Sequence, residues 1–465
     1  MGSVSQHFFS RVVPVFFRVL YRLSSLRRGL KSGSLFHEPD RAEVFAMQTA
    51  SAHRLEVTSW LPILGLAFAA FVFNTSEFLP VGLLPDMAAS LGETVSFTGL
   101  VITGYAWVVA IMSLPLTILT ARFERRKLLL CLILCFALSH IAVLWVASFG
   151  SLLAARICVA LCHSIFWSIM TPLAARMAPK GKRALGLACV MGGTIVATVM
   201  GLPIGTKLGQ LFGWQEAFAV IGAVALCVLV MIWLVLPPCP ATSAGALKSL
   251  PVILKRPALL QLYFLTAVTE LGHFTAYSYI APILQADGGF SPTDVVTVLF
   301  VFGISGIIGA FTATKVVDKH ISGALTLPLV LTAVSLLLIY PACATLPSIL
   351  TLCIVWGAAV TAVSLAFQTI VLNVAPDAAD IATSLFSGIF NIGIGGGAFL
   401  GSMISGSFGF HPVTFVGSGL VTVSALLCLT LWIRTGSALF PIEKVATNAV
   451  QPAANRTLAD QNPVK

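Results

Sequence analysis

Residues 60–92 read WLPILGLAFAAFVFNTSEFLPVGLLPDMAASLG, and this stretch decides the fold class. Its apolar part is longer than the roughly 20 residues that a helix needs to cross about 30 Å of hydrocarbon. Apolar runs of similar length recur along the chain as far as Trp432. Because lipid offers a backbone no hydrogen-bond partners, such runs must be helical. The sequence therefore predicts an all-α membrane protein with many spans.

The composition is that of a chain dissolved in lipid. Of its 465 residues, 58% are hydrophobic and only 9% are charged, whereas a soluble domain usually has about 25% charged residues. So few charges cannot cover a surface that faces water. The formal net charge of +10 comes from short basic clusters between apolar runs. We therefore expect a lipid bilayer, and not nucleic acid, as the partner.

Hydropathy, Gly and Pro punctuation, and length predict twelve spans in two groups of six. The longest interior break, 237–257, is predicted to be a cytoplasmic central loop between an N-terminal bundle at 59–236 and a C-terminal bundle at 258–434. A cytoplasmic tail follows at 435–465. The predicted spans are 60–88, 97–121, 128–147, 150–175, 184–208, 213–236, 258–284, 293–316, 322–341, 345–373, 379–404 and 411–434.

The loops differ in charge, and this difference predicts the orientation. Almost the only basic residue of the odd-numbered loops is Lys207. The tenth loop, with Asp377 and Asp380, is an exception among the even-numbered loops. The second, fourth, sixth and eighth loops are basic through Arg122, Arg125, Arg126, Lys127, Arg176, Lys180, Lys182, Arg183, Lys248, Lys255, Arg256, Lys315 and Lys319. The positive-inside rule then places the even loops and both termini in the cytoplasm.

Residues 1–58 are predicted to be a cytoplasmic N-terminal extension. The stretch from His7 to Lys31 mixes apolar residues with arginines, which is typical of a basic amphipathic helix lying on anionic lipid. Pro14 and the arginines interrupt its apolar run, so it does not resemble a signal peptide. Met47 begins a conventional short lead into the first span. The alternative interpretation is therefore an over-extended reading frame in which residues 1–46 are not made.

The cysteines do not form an extracellular disulfide pattern, because nine of the ten lie inside predicted spans and only Cys239 lies in a loop. Cys131/Cys135 and Cys158/Cys162 have one-turn spacing, and His163 follows the second pair. A soft-metal site is one interpretation of these pairs, and ordinary apolar packing is the other. We expect packing, with no metal and no cofactor.

Seven motifs carry a resemblance to a known family. They are FNTSEFLPVGLLPDMAASLG from Phe73, YAWVVAIMSLP from Tyr105, ERRKLL from Glu124, HSIFWSI from His163, RMAPKGKRALGL from Arg176, HFTAYSYI from His273 and SLFSGIFNIGIGGGA from Ser384. Together they resemble the bacterial SotB-type sugar efflux transporters, in the drug/proton antiporter branch of the major facilitator superfamily. The resemblance covers about Trp60 to Trp432.

The resemblance implies a major facilitator fold with twelve transmembrane helices in two six-helix bundles. It also implies a monomer in the bacterial inner membrane that exports sugars, such as arabinose and thiogalactosides, in exchange for protons. The chain departs from the pattern in three places. Arg122 and Arg125 replace an Asp and a Gly between spans two and three. Leu202 separates Gly201 from Pro203 in span five, and Ala281 stands before Pro282 where an acid is often found.

Ionisable residues inside the spans are candidates for proton coupling, because a charge in hydrocarbon is costly and is tolerated only next to protein or water. Glu77 in span one is the first choice, and the alternative is a structural carboxylate. Arg156 in span four could pair with a buried carboxylate, or it could extend to the interface. His163, two turns deeper, could belong to a proton relay or could simply pack.

Polar residues near the middle of the spans are candidates for substrate binding. Glu270, His273 and Tyr277 have i, i+3, i+7 spacing, so they share one face of span seven. Carboxylate and imidazole can bond sugar hydroxyls, and a tyrosine ring can pack on a pyranose. Asn74, Gln368 and Asn391 could complete the site with amide groups. The alternative for all of these residues is a hydrogen-bonded seam between helices.

The leading hypothesis from the sequence is a proton-coupled exporter of sugars or sugar-like compounds. The alternative on the same fold is a multidrug or nucleoside exporter, in which we expect a more aromatic cavity. A membrane enzyme or a sensor is disfavoured. The sequence contains neither a P-loop nor an HExxH motif, and between the first and last spans it has no loop long enough for an output domain.

Overall fold

The structure is a computed structural model that describes residues 41–179, 182–240, 250–316 and 321–435. The predicted amphipathic helix at 7–31 and the predicted tail after Thr435 lie outside these residues. The contacts within the chain divide it between Thr58 and Ser59, and the unit from Ser59 onward is compact. The architecture described below belongs to that unit.

Twelve long helices cross the described part of the chain and confirm the predicted all-α membrane fold. They are α1 (Arg41–Leu91), α2 (Val95–Leu119), α3 (Arg125–Ala142), α4 (Phe149–Met177), α5 (Arg183–Val196 and Leu202–Phe212), α6 (Trp214–Val235), α7 (Pro257–Tyr277), α8 (Pro292–Val316), α9 (Ile321–Ala342), α10 (Leu346–Val374), α11 (Ala379–Phe408) and α12 (His411–Thr435). Most consecutive helices are joined by short connections, and the longest connection, between Val235 and Pro257, is described only in part.

Two of these helices are interrupted, and in each case a proline explains the break. The two parts of α5 are joined by a π-helical turn at Ala197–Gly201. The predicted seventh span, 258–284, is not one continuous helix, because α7 ends at Tyr277. A proline ring clashes with the carbonyl four residues earlier and offers no N–H to it. Pro203 and Pro282 act in this way on residues 199 and 278.

Eleven of the twelve helices are long and apolar enough to span a membrane, and α7 is the exception. Its polar residues are buried: Thr266, Thr269, Glu270, His273 and Thr275. The helix packs mainly against α11 and α12. A helix whose faces are covered by other helices does not need an apolar surface. The helix with the weakest hydropathy signal is therefore an interior helix.

The helices form two halves that meet along two helix pairs. Within the first half α3 contacts α4 and α6, and within the second half α8 contacts α10 and α9 contacts α12. The halves are joined by α2 with α11 and by α5 with α8. At the second pair the backbones approach closely, because a Cβ atom on Gly303 would lie 2.6 Å from the carbonyl oxygen of Thr198. A glycine is therefore required there.

Polar contacts between the halves lie near the odd-numbered loops, a side of the molecule that we call the odd-loop face. The hydroxyls of Ser96 and Ser405 are 2.8 Å apart, and Ser402 donates to the carbonyl of Ser96 at 2.7 Å. On the other pair, Lys207 Nζ donates to Thr293 Oγ1 at 3.2 Å. The halves are therefore in contact at this face.

Candidate functional site

A cavity of about 480 Å³ lies between the halves. Its walls come from α1, α2, α4 and α5 in the first half and from α7, α8, α10 and α11 in the second. Lining residues such as Pro172, Ala310 and Thr383 lie close to the helix ends that lead into the even-numbered loops. The cavity therefore extends toward that side, which we call the even-loop face, while the halves touch at the odd-loop face.

Eight of the nine residues singled out in the sequence line this cavity. Asn74, Glu77 and His163 belong to the first half. The other five belong to the second half and are Glu270, His273, Tyr277, Gln368 and Asn391. Arg156 is not among the lining residues. The structure thus brings together side chains from α1, α4, α7, α10 and α11.

In the first half, Glu77 begins a chain of three ionisable groups. Its carboxylate Oε2 lies 3.7 Å from His163 Nε2, which is within ion-pair range but beyond a hydrogen bond. His163 Nδ1 is 2.6 Å from the hydroxyl of Tyr105. When the ring carries its proton on Nε2, the tyrosine donates to Nδ1 and the Nε2 proton points toward Glu77. A row of three ionisable groups thus starts at the cavity wall.

Arg156 is completely buried, with 1% of its surface exposed. Its guanidinium donates to the carbonyl oxygens of Ser76 at 3.1 Å and Glu77 at 3.4 Å, and it lies 4.2 Å from the ring centre of Tyr105. The predicted alternative of an arginine that extends to the interface is wrong, because the head group is held inside the first half. It fixes the backbone of α1 at the residue that carries the cavity carboxylate.

Behind Arg156 lies a chain of hydrogen bonds whose directions are determined. His140 Nδ1 is 2.8 Å from the carbonyl of Phe136, which can only accept, so Nδ1 carries a proton. Arg156 donates to Ser76 Oγ at 3.2 Å. The serine hydroxyl then donates to His140 Nε2 at 2.7 Å. His140 in this arrangement is a neutral structural histidine.

In the second half, Glu270 is fully buried beside the cavity. Its Oε1 accepts a hydrogen bond from Ser364 at 3.0 Å, while Oε2 has no partner among the described residues. His273, one turn further along α7, stacks on Tyr277 with ring centres 5.1 Å apart. Trp356 and Phe302 back this pair with edge and stacked contacts. A carboxylate thus lies next to an aromatic wall.

The three predicted amides differ in what they contact. The Asn74 amide donates to the carbonyl of Thr194 at 3.3 Å and lies 3.4 Å from Thr198 Oγ1, so it joins α1 to α5. Asn391 donates to Ser387 one turn earlier, and its Oδ1 has no partner in the described part of the chain. Gln368 lines the cavity from α10.

Sequence reasoning missed four residues that the site uses, namely Ser76, Tyr105, His140 and Ser364. Each is polar or ionisable within an apolar run, which is the signal that could have found them. Phe78 was also missed. Its ring stacks on that of Phe274, 6.1 Å away in the other half, so the two aromatic rings meet across the cavity.

The cysteine pairs do not form a metal site in the described residues, because no group of three or more His, Cys, Asp or Glu there is arranged to hold an ion. Cys131, Cys135 and Cys158 are exposed on the outer surface, and Cys162 is buried. Exposed thiols on a surface that faces lipid behave as small apolar side chains.

Twelve helices in two halves around a central cavity define a membrane carrier for small molecules. The sequence pattern of the Major Facilitator Superfamily matches residues 66–386, and the chain belongs to this family. It is therefore a multi-pass membrane transporter.

Solved structures with the same fold include a bacterial homologue of the human lysosomal transporter Spinster. In its inward-facing and occupied conformation it is 16% identical, covers 79% of this chain and 95% of its own, and has a TM-score of 0.65. In the inward-facing and unoccupied conformation the values are 15%, 82%, 96% and 0.63. At this identity the likeness concerns the fold alone.

Proposed function

We propose that this transporter exports sugars or sugar-like compounds in exchange for protons, by opening its cavity to one side of the membrane at a time. The observation that carries the proposal is the chain of Glu77, His163 and Tyr105, which begins at the wall of the cavity between the halves. A proton bound there is in the same compartment as the solute. One conformational change can then move both.

Glu77 is proposed as the group that binds and releases the proton. In the state that is open to the outside it takes a proton, and in the state that is open to the cytoplasm it gives the proton up. A pH difference of one unit supplies about 1.4 kcal/mol per proton. Membrane potential adds about 2.3 kcal/mol per 100 mV. Together these energies suffice to move a neutral sugar against its gradient.

The orientation follows from the basic loops. With the even-loop face in the cytoplasm of a bacterial cell, the cavity opens to the cytoplasm and is closed on the outside. This is the state in which an exporter collects its solute. The hydroxyl and amide groups of the lining suit a polyhydroxylated solute, in line with the resemblance to SotB-type sugar exporters.

A second candidate, a multidrug or nucleoside exporter, is favoured by the aromatic side chains of the same lining. Phe78, Phe274 and Phe390 contribute rings from α1, α7 and α11, and Trp167 adds another from α4. Such rings can stack on a planar solute. The two candidates therefore differ in which part of the wall does the binding.

Uptake into inverted vesicles with an acidic interior tests both candidates. Radiolabelled arabinose, a thiogalactoside and a cationic dye are supplied in turn to the unmodified protein, Glu77→Gln and Glu93→Gln. Glu93 is an exposed carboxylate in the first loop and serves as the matched control. We expect the sugars to accumulate with the unmodified and control proteins, and accumulation to be lost in Glu77→Gln.

Solute exchange without a pH gradient should persist in Glu77→Gln, because the cavity is intact. If only the dye moves, the sugar assignment is wrong. If Glu77→Gln still accumulates sugar against its gradient, the coupling role of Glu77 is wrong.

A further inference from the structure

The wall of the second half contains three buried polar atoms that have no hydrogen-bond partner among the described residues. They are Oε2 of Glu270, Nδ1 of His273 and Oδ1 of Asn391. Their side chains line the cavity and are 0%, 3% and 5% exposed. Because an unpaired buried polar atom is costly, three of them on one wall indicate a group that binds there.

All three atoms can accept a hydrogen bond. Glu270 is held at Oε1 by the hydroxyl of Ser364, and this leaves Oε2 free. The Asn391 amide nitrogen donates to the Ser387 carbonyl at 3.0 Å, which fixes the orientation of the amide and leaves the oxygen free. His273 Nδ1 accepts when the ring carries its proton on Nε2. With His273 in this tautomer, the group that all three atoms lack is a donor.

The charges of the lining are unbalanced. Glu77 and Glu270 are both present, and no lysine or arginine occurs among the described residues that line the cavity. Glu77 faces His163, whereas no ion pair is formed by Glu270 in the described part of the chain.

We propose that this wall binds a protonated primary amine, so the exported solute is a sugar-like compound that carries an ammonium group. An ammonium offers three N–H donors and no acceptor, which matches three free acceptors, one of them an oxygen of a carboxylate that forms no ion pair among the described residues. A neutral hydroxyl offers a single donor and also needs a donor of its own. The proposal rests on the proposed function only in taking this cavity as the transport site.

Binding to the purified protein tests the proposal without transport. Glucosamine, N-acetylglucosamine and glucose share one ring, and only glucosamine carries an ammonium. Isothermal titration is expected to show glucosamine binding at least about tenfold more tightly than the other two, as a charged hydrogen bond would give. Equal affinities for the three sugars would overturn the proposal.

Two variants test which residues are responsible. Glu270→Gln keeps the shape of the side chain and removes its charge, so the preference for glucosamine over glucose should vanish. Asn391→Asp adds a second carboxylate and should raise the preference. Glu93→Gln should change nothing. A preference that is unaltered in both cavity variants would contradict the assignment, and Asn391→Asp keeps the test open if Glu270→Gln fails to fold.

Transport separates this proposal from the proposed function. Exporting a monovalent cation in place of a neutral solute lowers the charge moved per cycle by one. Glucosamine export in proteoliposomes should therefore respond less to membrane potential than glucose export. If binding is selective for the amine but the export rate does not depend on the pH gradient, the proton coupling is overturned. The assignment of the amine-binding wall then still stands. Proton-driven glucose export without amine selectivity would overturn the pocket alone.

Discussion

At the scale of single residues, the hydroxyl of Ser76 joins two buried basic side chains. It accepts from Arg156 at 3.2 Å and donates to His140 at 2.7 Å. Both partners lie in other helices, α4 and α3. Because α1 also carries Glu77 at the next position, this hydroxyl helps to fix the backbone that presents the cavity carboxylate.

Replacing Ser76 should therefore destabilise the protein more than replacing its neighbour. Ser76→Ala leaves His140 Nε2 without a donor in a buried site, which costs about 1–3 kcal/mol. Thr75→Val is the control, because the hydroxyl of Thr75 has no partner among the described residues. Thermal unfolding of the purified variants followed by size-exclusion chromatography measures the difference. Equal losses of stability would refute the role of the hydroxyl.

At the scale of helices, charged residues tie helix ends to neighbouring segments on the even-loop face. Glu124 precedes α3 and accepts hydrogen bonds from the backbone N–H groups of Arg126, Lys127 and Cys239, at 3.0, 2.9 and 2.6 Å. Cys239 follows α6, and its carbonyl accepts from Arg125. The start of the central connection is thus held on the first half, at the place where the sequence departs from the superfamily signature.

Removing this contact should expose Cys239, which is 1% exposed in the structure. Glu124→Ala leaves the first N–H groups of α3 and that of Cys239 without an acceptor, a loss of about 1 kcal/mol for a helix cap. We expect faster labelling of Cys239 by a membrane-impermeant maleimide, measured by mass spectrometry. Glu93→Ala is the control. An unchanged labelling rate in Glu124→Ala would show that the carboxylate does not hold the connection.

The second tie lies between Arg256, before α7, and the loop after α10. Arg256 donates to both carboxylate oxygens of Asp377, at 2.8 and 2.7 Å, and to the carbonyl of Val374. The hydrogen bonds from Arg256 hold the pKa of the Asp377 carboxyl below its ordinary value of 3.8. The acidic tenth loop, an exception to the charge pattern, thus has a basic partner.

A lowered pKa fixes the sign of the pH dependence. The contribution of Asp377 to stability is complete above pH 3.8 and is lost as the pH falls from there through the lowered pKa. The effect should be small, because the pair is exposed. Asp377→Asn should remove this acid-sensitive component and leave stability at pH 7 slightly reduced. Thermal unfolding between about pH 3 and 7 measures it, and identical pH profiles for the two proteins would contradict the pairing.

At the scale of the whole molecule, the two halves touch at the odd-loop face and enclose a cavity that extends the other way. Among the described residues, the hydrogen bonds between the halves at this face come from a small set of polar groups. On one side they are the serines of α2 and α11, and on the other they are Lys207 and Gln210 of α5 with the start of α8. A rocking motion requires these hydrogen bonds to break and re-form.

A covalent bond across this face should stop transport. Ser96→Cys with Ser405→Cys replaces hydroxyls that are 2.8 Å apart and belong to opposite halves. Oxidation is expected to join the cysteines and abolish solute exchange, and a reductant should restore it. Cleavage at a protease site engineered into the central connection shows whether the halves remain linked.

The matched control is Ser148→Cys with Ser151→Cys, whose hydroxyls are 3.1 Å apart within the first half. A cross-link there should leave exchange unchanged. Full exchange in the oxidised Ser96/Ser405 variant would mean that this face does not open during transport.

The sequence by itself determined the membrane fold and the candidate residues. Apolar runs of sufficient length must be helices in lipid, and a carboxylate such as Glu77 or Glu270 stands out in such a run because burying a charge is costly. Each of these signals is local. They need no knowledge of the neighbouring helices.

Only the tertiary structure decided what those residues contact. Ser76 and His140 are 64 positions apart, and Glu270 and Ser364 are 94 apart. Their meeting depends on how each helix is rotated and which helix it packs against, and an evenly apolar span does not specify this. The closed odd-loop face and the three free acceptors on one wall follow from that packing. The physical reason is that hydropathy fixes whether a helix crosses the membrane, whereas side-chain contacts fix where it points.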